Sequence, residues 1–386
     1  MPQLHPVSLP ESSLVELKTR LIKTRWPTII GDDDWTYGVP QAWLRDMADY
    51  WLNEWNWPSV CKAMNQWQHY EALVDGIKIH YLHAPAKSRT APPLILNHGW
   101  PWTFWDFKDV IGPLSDPESY GGKAEDAFNV YAPSLPGFGF STPLTESGID
   151  VARIAQLWVK LMTEELGYDR FAAHGGDWGA LITAHLAHAH ADKLLGAHMS
   201  LTLIPGLDRA EITADDYADN ETWMLERNIE STSLITSHIA VHRLDPQTLA
   251  YGLSDSPMGT AAWIWERRRN WSDCNGDIES VFSREHLCTT AALYWCTGAI
   301  TSSFRLYYEH FNKPWPLAHQ RMPVLEAPSA FAVFPKDVVH IPKAKLEEYC
   351  NLKRYTRMPS GGHFGAAEEP GLLVDDIRGF FHGDLG

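Results

Sequence analysis

Apolar positions along this chain recur with two periods, and the period changes twice. Between residues 8 and 70 the spacing is helical. Leu14, Leu17, Leu21 and Ile22 fall along one stripe, and Trp43, Met47, Trp51 and Trp55 follow at every fourth position. Gly31-Asp32-Asp33-Asp34 separates the two groups. From Ile77 the period shortens. Residues 77–82 alternate as a strand does, and residues 93–96 and 128–132 are short apolar runs that end in turns. A helical stretch over 154–166 leads to a strand-like 171–174, a glycine turn, a helix over 180–189 and a further apolar run over 195–203. Strands alternating with helices predict parallel βαβ units in a mostly parallel, doubly wound sheet. Between Pro205 and Phe311 the strand signal gives way to helix-forming stretches such as 260–267, and it resumes at 329–334 and 352–358. The expected organisation is a helical arm over 1–70, a sheet-bearing core over 71–204 and 316–386, and a helical cap over 205–315.

Composition narrows the function classes. At 386 residues, 45% hydrophobic and 21% charged, the chain can bury a large core. A formal net charge of -16 opposes phosphate backbones and anionic lipid, so neither nucleic acid nor a membrane is an expected partner. The five cysteines are scattered without a CxxC spacing, which points to neither a disulfide framework nor a zinc site and fits a reducing cytoplasm. Met1-Pro2-Gln3-Leu4-His5-Pro6 has no basic segment followed by an apolar run, and no stretch reaches about 18 apolar residues, so a soluble cytoplasmic protein is expected.

The chemistry centres on Gly175-Gly176-Asp177-Trp178-Gly179, between a predicted strand and a predicted helix. That is the context of a nucleophile elbow, in which a sharp turn lifts one side chain above the carboxyl edge of the sheet. A glycine-flanked Asp is common in ordinary turns; its position after a strand and before a helix marks it out. Here the lifted group is a carboxylate. A serine attacking a saturated carbon would form an ether that water cannot readily cleave, whereas Asp177 would form an ester that water can hydrolyse. The expected reaction is displacement at an alkyl carbon through a covalent intermediate.

Hydrolysis of that ester needs a base. His363, in Ser360-Gly361-Gly362-His363-Phe364, follows the last predicted strand, and Asp337 follows the strand before it, placed to orient the imidazole. The order nucleophile, acid, histidine is that of α/β-hydrolases. Asp208 is a rival for the acid. The turn His98-Gly99-Trp100-Pro101 is expected to give one oxyanion N–H and Trp178 the other, with His98 structural. His185, His188 and His190 have no acid or Cys set that supports metal ligation, and Glu266-Arg267-Arg268-Arg269 reads as a solvated helix face.

Taken together, His98-Gly99-Trp100-Pro101, His174 to Gly179, Asp255-Ser256-Pro257-Met258-Gly259, Arg305-Leu306-Tyr307-Tyr308-Glu309, Gly361-Gly362-His363-Phe364 and the N-terminal Thr24-Arg25-Trp26-Pro27 resemble the microsomal-type epoxide hydrolases over nearly the whole chain. The resemblance implies an α/β-hydrolase fold with a helical cap and an N-terminal arm. It implies hydrolysis of a small-molecule epoxide to a vicinal diol without cofactor or metal. It makes Asp177 the nucleophile, His363 the general base, Asp337 its orienting acid, Trp100 and Trp178 the oxyanion donors, and Tyr307 the donor to the epoxide oxygen. It departs at one point: a second cap tyrosine is usual in the family, and the matching position falls near His238, whose neutral imidazole can still donate. A counterpart to the membrane anchor of the animal enzymes is not expected here. Family members serve xenobiotic detoxification and natural-product biosynthesis, and a homodimer is allowed but not specified. Two other readings remain: a dehalogenase using the same Asp nucleophile, and a non-catalytic ligand-binding protein on this fold.

Overall fold

The computed structural model describes residues 2–31 and 34–385; Asp32 and Asp33 of the expected break lie outside the described residues. Nine strands among the described residues form a single sheet. They are β1 (Gln3–Leu4), β2 (Gln68–Val74), β3 (Ile77–Ala84), β4 (Pro93–Asn97), β5 (Asn129–Pro133), β6 (Phe171–Gly175), β7 (Leu194–Met199), β8 (Leu325–Val333) and β9 (Cys350–Arg357). Their spatial order is β1-β2-β3-β5-β4-β6-β7-β8-β9. The pairings from β1 to β5 are antiparallel and all later ones parallel. Every residue of β4 and of β6 is buried, as expected of central parallel strands covered on both faces.

The arm contributes α1 (Glu11–Ile22), α2 (Gln41–Asn53) and α3 (Trp57–Met64). The helices between core strands are α4 (Lys108–Ser115), α5 (Val151–Lys160) and α6 (Trp178–Ala189). Five helices lie between β7 and β8: α7 (Thr222–Leu244), α8 (Pro246–Asp255), α9 (Pro257–Trp271), α10 (Arg284–Cys296) and α11 (Ala299–Phe311). The chain closes with α12 (Lys343–Tyr349), α13 (Gly365–Glu368) and α14 (Pro370–Arg378).

The arm is less purely helical than its periodicity implies. β1 pairs with β2 through Gln3 with Glu71 and Leu4 with Tyr70, so both ends of the arm enter the sheet. Strand β2 hides in the pattern because a histidine occupies a core position. His69 is buried, and its ring nitrogens meet the Met64 carbonyl and His80, each at 2.9 Å. The tryptophans of the helical stripe do pack as their spacing demands, against the inserted helices. The Trp43 and Trp51 rings meet Trp265 of α9 at 5.6 and 5.9 Å, and Trp55 Nε1 donates to Thr289 of α10.

Coverage by other segments corrects the reading of Glu266-Arg267-Arg268-Arg269 as a solvated face. Arg268 is fully buried; it donates to Asp106 Oδ1 at 2.7 Å and to the Pro101 carbonyl at 2.9 Å. Arg267 is also buried and lies 3.5 Å over the Trp263 ring, and Arg269 lies over Trp35 of the arm. Charge on one helix cannot reveal that three other segments close around it.

The Arg268–Asp106 pair ties α9 to the loop after β4. Burial alone would raise the Asp106 carboxyl; the Arg268 charge and His286 override it and hold the group well below the usual carboxylate range. Arg268→Met leaves that carboxylate without its guanidinium, and urea unfolding should show a loss of about 3–5 kcal/mol. A depressed carboxylate stabilises the fold above its unfolded pKa, so the difference between wild type and variant should shrink as pH falls below about 4.

Candidate active site

Strands β4, β6, β8 and β9 are parallel, so their carboxyl ends share one edge of the sheet, and the loops that follow carry Trp100, Asp177, Asp337 and His363. Ligand sites in open α/β sheets form at that edge. Between β6 and α6 the backbone at Asp177 takes φ 52°, a left-handed value that costs a non-glycine residue about 1–3 kcal/mol. Glycines flank it out of necessity. A Cβ on Gly175 would collide with the Gly179 carbonyl, and one on Gly179 with the Asn97 carbonyl of β4. The turn therefore presses against the neighbouring strand and holds the carboxylate up.

Both carboxylate oxygens are engaged. Oδ1 accepts the Trp100 backbone N–H at 2.6 Å, and Oδ2 lies 3.2 Å from His363 Nε2. The opposite nitrogen, Nδ1, is 2.7 Å from Asp337 Oδ1, which also accepts the Val338 N–H at 2.6 Å. The three groups picked out in chain order thus form one chain of contacts. A Cβ on Gly99 would strike the Asp177 carboxylate, which explains the glycine of the His98-Gly99-Trp100 turn. Among the described residues Asp177 takes no hydrogen bond from Trp178, which instead opens α6 directly beside it.

The charge balance follows. His363 is buried, which disfavours the imidazolium, but the Asp337 charge and the hydrogen bonds to Asp177 and Asp337 outweigh burial and push it up to about 10. Near neutral pH the resting site holds an imidazolium between two carboxylates.

The His363 loop has a support that sequence reading missed. The Glu368 carboxylate, on α13, accepts the N–H groups of Gly362, Phe364 and Asp273 at 3.0, 2.8 and 2.7 Å, and His363 N–H donates to the Trp271 carbonyl at 2.8 Å. Burial outweighs those three donors and pushes Glu368 up to about 7. A Glu five residues after the histidine was the available signal.

Above Asp177 lies a cavity of about 380 Å³ whose walls come from both the sheet edge and the inserted helices α7 and α11. Tyr307 of α11 is buried among aromatic rings, 4.7 Å from Trp178 and 6.0 Å from Trp100 between centroids. Burial, and then the Asp177 charge, raise its phenol well above the ordinary value, so it keeps its proton. His238 of α7 faces the same cavity and stacks on Trp100, with rings 12° from parallel. Burial, then Arg267 and His363, lower it well below the ordinary histidine value, and its Nδ1 has no hydrogen-bond partner. A second histidine, His242, lies one turn further along α7 and escaped the sequence reading; the i, i+4 spacing was its signal. Its Nε2 accepts Trp263 Nε1–H at 3.0 Å, so the neutral ring carries its proton on an unpartnered Nδ1.

Other candidates separate from the site. Asp208 is exposed and caps a short turn by accepting the Ala210 N–H, while His363 takes Asp337. His98 is buried and accepts the Leu135 N–H through Nε2. His185 accepts Trp315 Nε1–H, and His188 bridges the Val324 carbonyl and the Ala318 N–H. Among the described residues no group of three or more His, Cys, Asp or Glu side chains is arranged to hold a metal ion, and no helix is long and apolar enough to cross a membrane.

Known proteins share this arrangement of segments. Residues 2–107 match the family model for the epoxide hydrolase N terminus, and residues 92–224 match that for the alpha/beta hydrolase fold. Epoxide hydrolase 1 of Sus scrofa is 31% identical over 97% of this chain and 87% of its own length. Epoxide hydrolase 1 of Oryctolagus cuniculus is 32% identical with the same coverage. The chain belongs to the epoxide hydrolase family. This hydrolase also superposes on the crystal structure of juvenile hormone epoxide hydrolase from Bombyx mori with a TM-score of 0.86 at 25% identity, over 99% of this chain and 95% of that one.

The coupling of Asp177 to His363 can be measured directly. Asp177→Asn substitutes a neutral amide for one of the two carboxylates that hold the imidazolium. The His363 pKa, followed by ¹⁵N NMR of the ring, should drop from about 10 by about one to three units. An unchanged titration would show that Asp177 does not contribute.

Proposed function

We propose that this epoxide hydrolase opens an apolar or aryl epoxide through an ester on Asp177 and then hydrolyses that ester to the vicinal diol. The observation that carries the reading is the pair of contacts on one carboxylate: the Trp100 N–H on Oδ1 and the His363 imidazole on Oδ2, beneath a cavity that Tyr307 lines. A carboxylate so held can attack a carbon above it while its other oxygen stays in a donor site.

In the first step a carboxylate oxygen of Asp177 bonds to an epoxide carbon and the carbon–oxygen bond of the ring breaks. The oxygen leaves with the electron pair and takes the Tyr307 proton. A phenol in a dry pocket suits this task, because alkoxide charge develops where water cannot screen it. His238, neutral with an unpartnered ring nitrogen, is the proposed second donor in place of the family's other tyrosine.

Ester formation cancels the Asp177 charge, and with it part of what keeps His363 protonated. The imidazolium then gives up its proton, making good the one that Tyr307 lost, and becomes the neutral base. Neutral His363, oriented by Asp337, takes a proton from water, and the hydroxide adds to the ester carbonyl carbon. The oxyanion forms at Oδ1, on the Trp100 N–H, with the Trp178 N–H at the start of α6 as the second donor. Collapse expels the diol oxygen, which takes the proton from His363; the carboxylic acid left on Asp177 then gives its proton to the neutral imidazole, which restores both the carboxylate and the imidazolium.

His363→Gln separates the two steps. With styrene oxide, turnover should fall by about 10²–10⁴ while the peptide carrying Asp177 gains the mass of one substrate. Absence of that adduct would remove His363 from the second step. In His238→Phe, the adduct should form more slowly in a single turnover; an unchanged rate would leave ring opening to Tyr307 alone.

A further inference from the structure

The cavity above Asp177 has a second charged end. Apart from Asp177 and His363, its ionic lining side chains are Arg209 and Arg243, set in walls that are otherwise apolar and aromatic. Past them lies a groove of about 440 Å³ that shares both arginines, together with Ile235 and Ile239 of α7. The two guanidinium groups therefore stand where the cavity meets the outside. His238 at the inner end and Arg243 at the outer end are five residues apart on α7, about 7.5 Å along its axis.

Neither cation has an acidic partner. Arg209, on the turn Arg209–Glu211, makes no side-chain hydrogen bond or ion pair among the described residues. Arg243 donates only to the neutral Asn312 Oδ1, at 3.2 Å, and Asn312 Nδ2 in turn donates to the Arg243 carbonyl. Most other arginines that meet a polar side chain here meet a carboxylate, as Arg268 does with Asp106, Arg284 with Glu279 and Arg357 with Glu221. In a chain of net charge -16, two guanidinium groups without a carboxylate partner lie together at one cavity mouth. Planar guanidinium forks match a carboxylate in both charge and geometry.

We propose that the substrates of this enzyme are epoxides borne on a hydrocarbon arm that ends in a carboxylate, which Arg209 and Arg243 hold at the outer end of the cavity while the epoxide lies between Asp177 and Tyr307. The proposal rests on the epoxide-hydrolase reading above. It assigns the apolar walls to the hydrocarbon and the arginine pair to the head group, and it makes the charged end a selector for acids over their neutral esters.

The test compares kcat/KM for cis-9,10-epoxyoctadecanoic acid and its methyl ester, each below its micelle concentration, with styrene oxide as a reference epoxide. The wild-type enzyme should favour the acid on the order of tenfold in dilute buffer. That ratio should fall towards one in 0.5 M salt, a measurement that needs no variant. Arg209→Gln combined with Arg243→Gln should collapse the ratio in dilute buffer, chiefly through KM for the acid. Equal kcat/KM for acid and ester in the wild type, or a ratio that survives both salt and the double substitution, overturns the carboxylate assignment and leaves the hydrolase reading standing. Failure to turn over any of the three epoxides overturns both.

Discussion

The register of β4 against β6 governs everything in the site. Asn97 pairs with Gly175, so the turn three residues past Asn97 and the turn two residues past Gly175 emerge side by side. That juxtaposition brings the Trp100 N–H onto the Asp177 carboxylate. The positive φ at Asp177 then sets the carboxylate's height, and the approach of Gly179 to the Asn97 carbonyl leaves no room for any side chain at that glycine. A slip of one residue in the strand pairing would turn the whole arrangement to the other face. The strain at Asp177 is tolerated because two buried strands and α6 over-determine the turn.

Charge is concentrated on that scaffold and removed from its surroundings. Asp177, His363 and Asp337 form a line of alternating sign, the two carboxylates raising the imidazole to about 10. The neighbouring histidines are pushed the other way. His238 and His242 are buried without carboxylate partners, so both stay neutral, and the rings of Trp100, Trp271 and Phe304 fill the space around them. A water-poor wall of this kind strengthens each remaining electrostatic interaction. In the mechanism proposed above the same logic links the two chemical steps, because the loss of one carboxylate charge on ester formation converts an imidazolium into a base.

Inserted helices and arm supply that wall, and they are fastened by polar contacts buried within apolar surfaces. Arg268 crosses from α9 to Asp106, and Tyr294 of α10 donates to the Trp102 carbonyl at 2.7 Å. Outside them, the tryptophans of the arm pack onto Trp265. The arm thus buttresses the lining of the cavity from behind, which gives a physical sense to the many tryptophans in its sequence.

Local chemistry made much of this legible before any coordinates. An elbow is a property of five consecutive residues, so Asp177 and its glycines could be read directly, and the βα alternation placed Asp337 and His363 after strands in the right order. Helical spacing likewise marked the tryptophan stripe of α2. What depended on distant segments was not legible. Strand β2 was obscured because His69 needs His80 and Met64 to be buried, and α9 looked solvated because residues that cover it, such as Asp106 and Trp35, lie more than a hundred positions away. Chain order already preferred Asp337 to Asp208, and the contact of its Oδ1 with Nδ1 of His363 shows the geometry behind that preference; Glu368 became visible only when one side chain was found holding three backbone N–H groups. Sequence by itself determined the class of fold and marked out the elbow carboxylate, because both are written in short-range patterns. Only tertiary structure decided the protonation of His363, the neutrality of His238 and the placing of Arg209 and Arg243 on the same cavity, because burial and charge proximity are set by residues that the chain brings together from far apart.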